Sequence, residues 1–255
     1  MGPDGRSGPN GFPRYRPPAV DDIVTIPARY NGPPHSGNGG YAAGLTAAAL
    51  DAPGVRVRLR RPPPLDTELR RRAHDDGTAT LERGDELIAT AQPAPAMDQP
   101  APAAPTLDQA TDAAARFPGF AHHGFPTCFV CGTERPDGLH VHPGPVDGRP
   151  DLIACPYTPP NDDPLLTWAA LDCPGAFVSD AFLDPDRLAV LATFTVRADR
   201  APTPRAPHVV AAWRIDPAAV GRKQRTASAL FDAEGELLAI AEALWIEVRD
   251  RSAFA

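Results

Sequence analysis

Residues 30–50 read YNGPPHSGNGGYAAGLTAAAL. A loop crowded with Gly and Pro gives way at Gly39-Gly40 to an Ala/Leu run that carries no charge, and Thr46 is its sole polar side chain after Tyr41. A helix this apolar on every side must be buried. Its first amides, those of Gly39, Gly40 and Tyr41, have no partner inside the helix. Together with the positive end of the helix dipole they form a seat for negative charge. A tight turn that lets a helix pack on a sheet accounts for the same glycines without any ligand.

Outward from this stretch the chain falls into two similar halves. Residues 22–26 form a short β-branched strand ahead of the loop. After the helix, residues 55–60 alternate Val/Leu with Arg, which predicts a strand with one apolar and one cationic face. Strands are also expected at 65–74, 78–82 and 87–91, the last two joined by Arg83-Gly84-Asp85 as a hairpin. Residues 92–105 are rich in Pro and Ala, a stiff connection, and Thr106 is a candidate N-cap for a short helix. Strands are then expected at 139–142, 152–155, 188–196, 207–215, 224–231 and 237–248, with a second apolar helix from 165 to about 182. The helices share a phrase, TAAALDAPG at 46–54 against TWAALDCPG at 167–175. This internal repeat points to duplication, and an all-round apolar helix followed by antiparallel strands points to a sheet wrapped around it.

This order resembles the hotdog fold, and two copies resemble a double hotdog of the thioesterase superfamily. Gly39-Gly40-Tyr41-Ala42-Ala43 is similar to the glycine-led helix start of hotdog thioesterases. Cys128-Phe129-Val130-Cys131-Gly132 with Pro136-Asp137-Gly138-Leu139, and residues 168–175, are similar to segments of thioesterase-like members. The fold class expected is therefore α+β, two repeats each with an antiparallel sheet around a central buried helix. The expected organisation is a disordered tail at 1–19, a first repeat at 20–92, a linker with a short helix at 93–119, and a second repeat at 120–250.

Thioester hydrolysis needs a stabilised oxyanion and a group that activates water or attacks directly. The resemblance implies that amides at one helix start polarise the carbonyl while a carboxylate on the other helix does the rest. Here that selects Gly40 with Gly39 as oxyanion donors, Asp172 as the carboxylate, and Asn38 as an assistant where relatives often carry histidine. His35, Tyr41 and Trp168 are candidate substrate contacts. The mirror site lacks parts: 161–165 has no glycine pair, although Asp163 is a candidate cap, and the counterpart two turns past Gly40 is Ala48. Asp172 also has a plain reading, as a cap beyond a helix broken at Pro174.

Two cysteines of a C-x-x-C and the histidines at 140 and 142 offer a Cys2His2 zinc set. The resemblance favours a structural turn there, so no metal and no cofactor is expected. Cys155 and Cys173 read as small apolar packing groups. Arginines at 56, 58, 60, 61, 70, 71 and 72 form a solvated face, or meet the phosphates of coenzyme A. With 25 basic against 32 acidic residues, net −7, a general nucleic-acid surface is excluded. No Walker, Rossmann or Gly-x-Ser-x-Gly motif occurs. No run is apolar enough to span a membrane and no hydrophobic leader is visible, so a cytoplasmic protein is expected. The resemblance implies an acyl-CoA or other acyl thioester as partner, and a homodimer through sheet edges or faces. The alternatives kept open are a non-catalytic acyl or acyl-CoA binding protein and, more weakly, an enoyl-CoA hydratase or dehydratase.

Overall fold

The computed structural model describes residues 21–94, 97, 100–179, 187–218 and 221–248. The tail expected at 1–19 lies outside these residues, and the second helix, expected to reach about 182, ends at Phe177 with Val178 as its C-cap.

Eleven strands form one antiparallel sheet. In chain order they are β1 (Asp21–Val24), β2 (Gly54–Leu59), β3 (Leu69–Ala73), β4 (Ala79–Arg83), β5 (Glu86–Pro93), β6 (Gly144–Val146), β7 (Arg149–Tyr157), β8 (Ala189–Ala198), β9 (His208–Arg214), β10 (Lys223–Phe231) and β11 (Leu237–Glu247). Their spatial order is β1-β3-β4-β5-β2-β8-β11-β10-β9-β7-β6. The two halves meet at β2 and β8, where Val55 faces Val196 and Val57 faces Phe194. The alternation read in β2 is realised, with Val55 and Val57 buried and Arg58 exposed.

Helices α1 (Gly39–Ala47) and α3 (Pro164–Phe177) lie within the curve of this sheet, packed on each other and on the strands. Eight of the nine α1 residues are buried, and so are 11 of 14 in α3, as the apolar run requires. The hydroxyl of Thr46 donates to Ala42 O at 2.8 Å, which satisfies the one polar side chain in the middle of α1. Arg71, expected on a solvated face, is instead buried. It pairs with Asp22 at 2.6 Å and donates to Leu45 O near the end of α1 at 3.1 Å.

Helix α2 (Leu107–Ala114) packs on β6, β7 and β9 over a separate apolar cluster. Thr106 caps it, and Gln109 returns the bond to complete a capping box. Two expectations are corrected. Residues 139–142 are not a strand. The Leu139 and Val141 amides bind Phe129 O and Val130 O, and His140 takes φ 53°, so the alternating letters serve a loop-on-loop contact. Helix α3 also runs through Pro174 without breaking, so Asp172 is an interior residue and not a cap. Close to the proline, the Ser228 hydroxyl donates to Leu171 O at 2.6 Å.

Candidate active site

The site forms where the start of α1 meets the middle of α3. Glycines one turn apart on α1 allow the contact. A Cβ on Gly40 would stand 2.4 Å from Trp168 O and 2.6 Å from Asp172 Cβ, and one on Gly44 would stand 2.7 Å from Trp168 Cγ. Real side chains never approach so closely, so both positions need glycine for packing alone. The close approach carries Asp172 of α3 to the first amides of α1.

Asn38 is the N-cap of α1. Its Oδ1 accepts from Tyr41 N at 2.9 Å, while its Nδ2 donates to Asp172 Oδ2 at 3.1 Å. Gly40 N donates to the same Oδ2 at 2.7 Å. One carboxylate oxygen is thus held by two donors. The other, Oδ1, is buried with no hydrogen-bond partner among the described residues. Burial pushes the Asp172 carboxyl up to about 7, against the pull of Gly40 N and Asn38.

Among the orphan amides of α1, Gly40 N is engaged by Asp172 and Tyr41 N by Asn38. Ala42 N binds Asn38 O. Gly39 N has no hydrogen-bond partner among the described residues. Gly39, Asn38 and Asp172 all line a cavity of about 260 Å³, and Gly40 does not. Of the two amides named from the sequence, the one available to an incoming oxygen is therefore that of Gly39. Phe125, Phe177, Leu191 and Ile246 give this cavity apolar walls, and Arg60 and Arg61 also line it.

Two loops close one side. Asn31 Nδ2 donates to Thr127 O at 3.1 Å, and Phe129 N donates to Asn31 O at 2.9 Å. Arg135 bridges them, bonding to Asn31 Oδ1 and, at 2.7 Å, to Arg29 O.

The three candidate substrate contacts lie away from this cavity. His35 is exposed in the loop. Tyr41 is buried, its ring stacked on Tyr30 at 4.2 Å. Trp168 packs on Gly44 and edge-on to Phe194, and lines a separate hollow beside Asp163.

Sequence reasoning missed a cluster of thiols. The sulfurs of Cys128, Cys131 and Cys173 lie within 4.8 Å of one another, with Cys128 and Cys173 at 3.8 Å, and all three residues line the cavity. Hydrogen bonds from Cys131 and Cys173, with backbone amides of Cys131 and Val130, hold the Cys128 thiol well below its ordinary range. The zinc set read from sequence is not assembled. His140 Nε2 bonds to Arg135 O, and His142 stacks on Phe117. The legible signal was the C-x-x-C, and the third cysteine enters from α3.

No protein-family model matches the chain, and no curated protein matches it in sequence. Its shape has many solved relatives, a hot dog fold protein of unknown function among them. A protein provisionally assigned as a thioesterase, from Novosphingobium aromaticivorans, is 12% identical. That match covers 92% of this chain and 98% of the other, with TM-score 0.63. An acyl-CoA thioesterase II, TesB2, from Mycobacterium marinum is 15% identical, with coverage of 90% and 93% and TM-score 0.57. A trans-AT polyketide synthase dehydratase domain from Brevibacillus brevis is 14% identical, with the same coverage and TM-score. These likenesses show the fold. The chain is an α+β double hotdog, as its sequence led one to expect. Among the described residues no helix is long and apolar enough to cross a membrane.

Proposed function

We propose that this double hotdog hydrolyses an acyl thioester of the acyl-CoA kind, at one site between its two helices. The observation that carries the reading is the Asp172 carboxylate, held through Oδ2 by Gly40 N and Asn38 Nδ2, with Oδ1 buried and without a partner among the described residues, beside a cavity that Asp172 and Gly39 both line.

In this reading the thioester carbonyl oxygen lies on Gly39 N–H. That amide gains strength as the oxygen becomes anionic, since it sits at the positive end of α1. The Asp172 carboxylate takes a proton from water. The water oxygen bonds to the carbonyl carbon, the C–S bond breaks, and the leaving thiolate recovers the proton from Asp172. Asn38 and Gly40 hold the carboxylate through Oδ2 and fix its orientation beside the cavity. The cavity is below the roughly 300–1,000 Å³ of common ligand pockets, which favours a short acyl group. Arg60 and Arg61 supply charge for a phosphorylated thiol carrier.

A thiol-release assay across short, long and aromatic acyl-CoAs tests the proposal. Wild type is expected to turn over at least one short substrate. Asp172→Asn, which keeps shape and removes the base, should lower kcat about 10²–10⁴-fold with its melting curve retained. Full activity in that variant ends the assignment. Binding of acyl-CoA without turnover on any substrate points to the non-catalytic alternative, which the engagement of Gly40 N by Asp172 favours. Turnover of an enoyl-CoA points to the dehydratase.

A further inference from the structure

The thiol cluster has no part in the hydrolysis just described, yet its construction is that of a ligand set. Two of its sulfurs come from one turn, Cys128-Phe129-Val130-Cys131-Gly132, and the third from α3, more than 40 residues later. The turn is tightly built. Gly132 N donates to Cys128 O at 2.9 Å, and a Cβ on Gly132 would stand 2.5 Å from both Cys128 O and Pro126 O. Glycine there is what lets the chain fold back and point both cysteines the same way. Three thiols buried side by side with weak mutual hydrogen bonds gain little over ordinary apolar packing.

The geometry points to a binding site for a thiophilic divalent cation of the zinc type, held by Cys128, Cys131 and Cys173. A Zn–S bond of about 2.3 Å in tetrahedral geometry sets sulfurs about 3.8 Å apart. Cys128 and Cys173 already stand at 3.8 Å, and the whole trio is within 4.8 Å. Only a small inward movement of Cys131 is needed. Donors surround the sulfurs as a thiolate set needs: the Cys131 and Val130 amides at Cys128, and Asn38 Nδ2 at 3.7 Å from Cys173 Sγ.

The fourth position does not come from the adjacent histidine. Phe125 N donates to His123 Nδ1 at 3.0 Å, so Nε2 carries the proton and donates to Cys131 O at 3.0 Å. Both ring nitrogens are engaged. All three cysteines line the cavity, so the remaining position is left to water or to a ligand that enters there. Three protein ligands with one open position is the pattern of a zinc site that meets small molecules, in contrast to a closed structural site.

This inference does not rest on the hydrolysis reading, and its test uses no acyl substrate. Tag-free full-length chain, purified in reductant and stripped with a chelator, is titrated with Zn²⁺ against a competing chromophoric chelator. A parallel titration uses Co²⁺. The expected result is one equivalent per chain and a thiolate-to-Co²⁺ charge-transfer band. Cys173→Ser should weaken binding by more than about 100-fold, and Cys155→Ser, buried elsewhere in the core, should leave it unchanged. Should Cys173→Ser fail to fold, X-ray absorption on the zinc-loaded wild type decides, with three sulfur neighbours at about 2.3 Å expected. No saturable binding, a first shell of nitrogen and oxygen only, or a disulfide among these cysteines in anaerobically purified protein would each overturn the site.

Discussion

Each buried helix begins with a carboxylate on a backbone amide, but the two obtain it differently. At α3 the helix supplies its own: Asp163 Oδ1 accepts from Leu165 N at 2.9 Å, and Pro164 at the first position has no N–H to satisfy. At α1 the carboxylate is imported, since Asp172 arrives from the other helix onto Gly40 N at 2.7 Å. Local capping leaves α3 finished and its cap partly open to solvent. Capping from a distance leaves α1 with an extra amide at Gly39, an unpartnered oxygen at Asp172 and a cavity beside both. The two halves of the scaffold differ in that one helix start is completed locally and the other by its partner helix.

The contrast breaks most visibly at Gly39. Gly39→Pro deletes its N–H at a first-turn position that accepts proline, and Asn38 before it already has the extended backbone, φ −57° and ψ 134°, that proline demands. If that amide binds the oxyanion, kcat should fall about 10²–10³-fold. Urea unfolding should move less, because the atoms nearest an added Cβ belong to the side chains of Leu191 and Asp172, at 3.0–3.3 Å, and not to backbone. Equal losses of stability and rate would instead make Gly39 a packing residue.

At Gly40 the order reverses. A Cβ there meets Trp168 O at 2.4 Å, so Gly40→Ala is expected to cost about 3 kcal/mol in urea denaturation through forced separation of α1 and α3. An unchanged midpoint would show that the helices have slack. Asn38→Ala sharpens the comparison further. It removes the cap and one donor to Asp172, with an expected loss of about 1 kcal/mol and a lower kcat at unchanged KM. Asp163→Ala, the matching change at α3, should show a similar or smaller loss of stability, again about 1 kcal/mol or less. Its steady-state turnover should equal wild type. A matching fall in kcat would mean that the two helix starts are not independent.

Much of this was legible because burial and repetition are written in letters. The charge-free run at 41–50 leaves a helix nowhere to lie except inside a sheet. A charge-free helix followed by antiparallel strands, met twice, announced the duplication, whereas the shared phrase falls mostly beyond α1 at 46–54 but inside α3 at 167–175; the glycine pair with Asp172 named the two sides of the contact. The rest depended on where neighbours fall. Which amide Asp172 occupies is decided by the rotation of α3 about its axis, which Gly40 and Gly44 fix through Trp168, and no periodicity reports it. The same rotation delivers Cys173 to Cys128. Alternation misled at 139–142, because Leu-His-Val-His has the pattern of a strand but its amides are claimed by carbonyls of the preceding loop. The arginines at 70–72 looked alike, and only register separates them. Arg70 and Arg72 face outward toward Asp21, while Arg71 turns in.

That inward arginine fastens the rim of the sheet to the heart of the molecule. Through it the outermost strand, by way of Asp22, grips the trailing end of the rod whose leading end carries Gly39. Loosening a four-residue edge strand would remove that hold on the last turn of α1. The edge strand and the buried acid thus hold opposite ends of the same short helix, one through Arg71 and the other through Gly40 N.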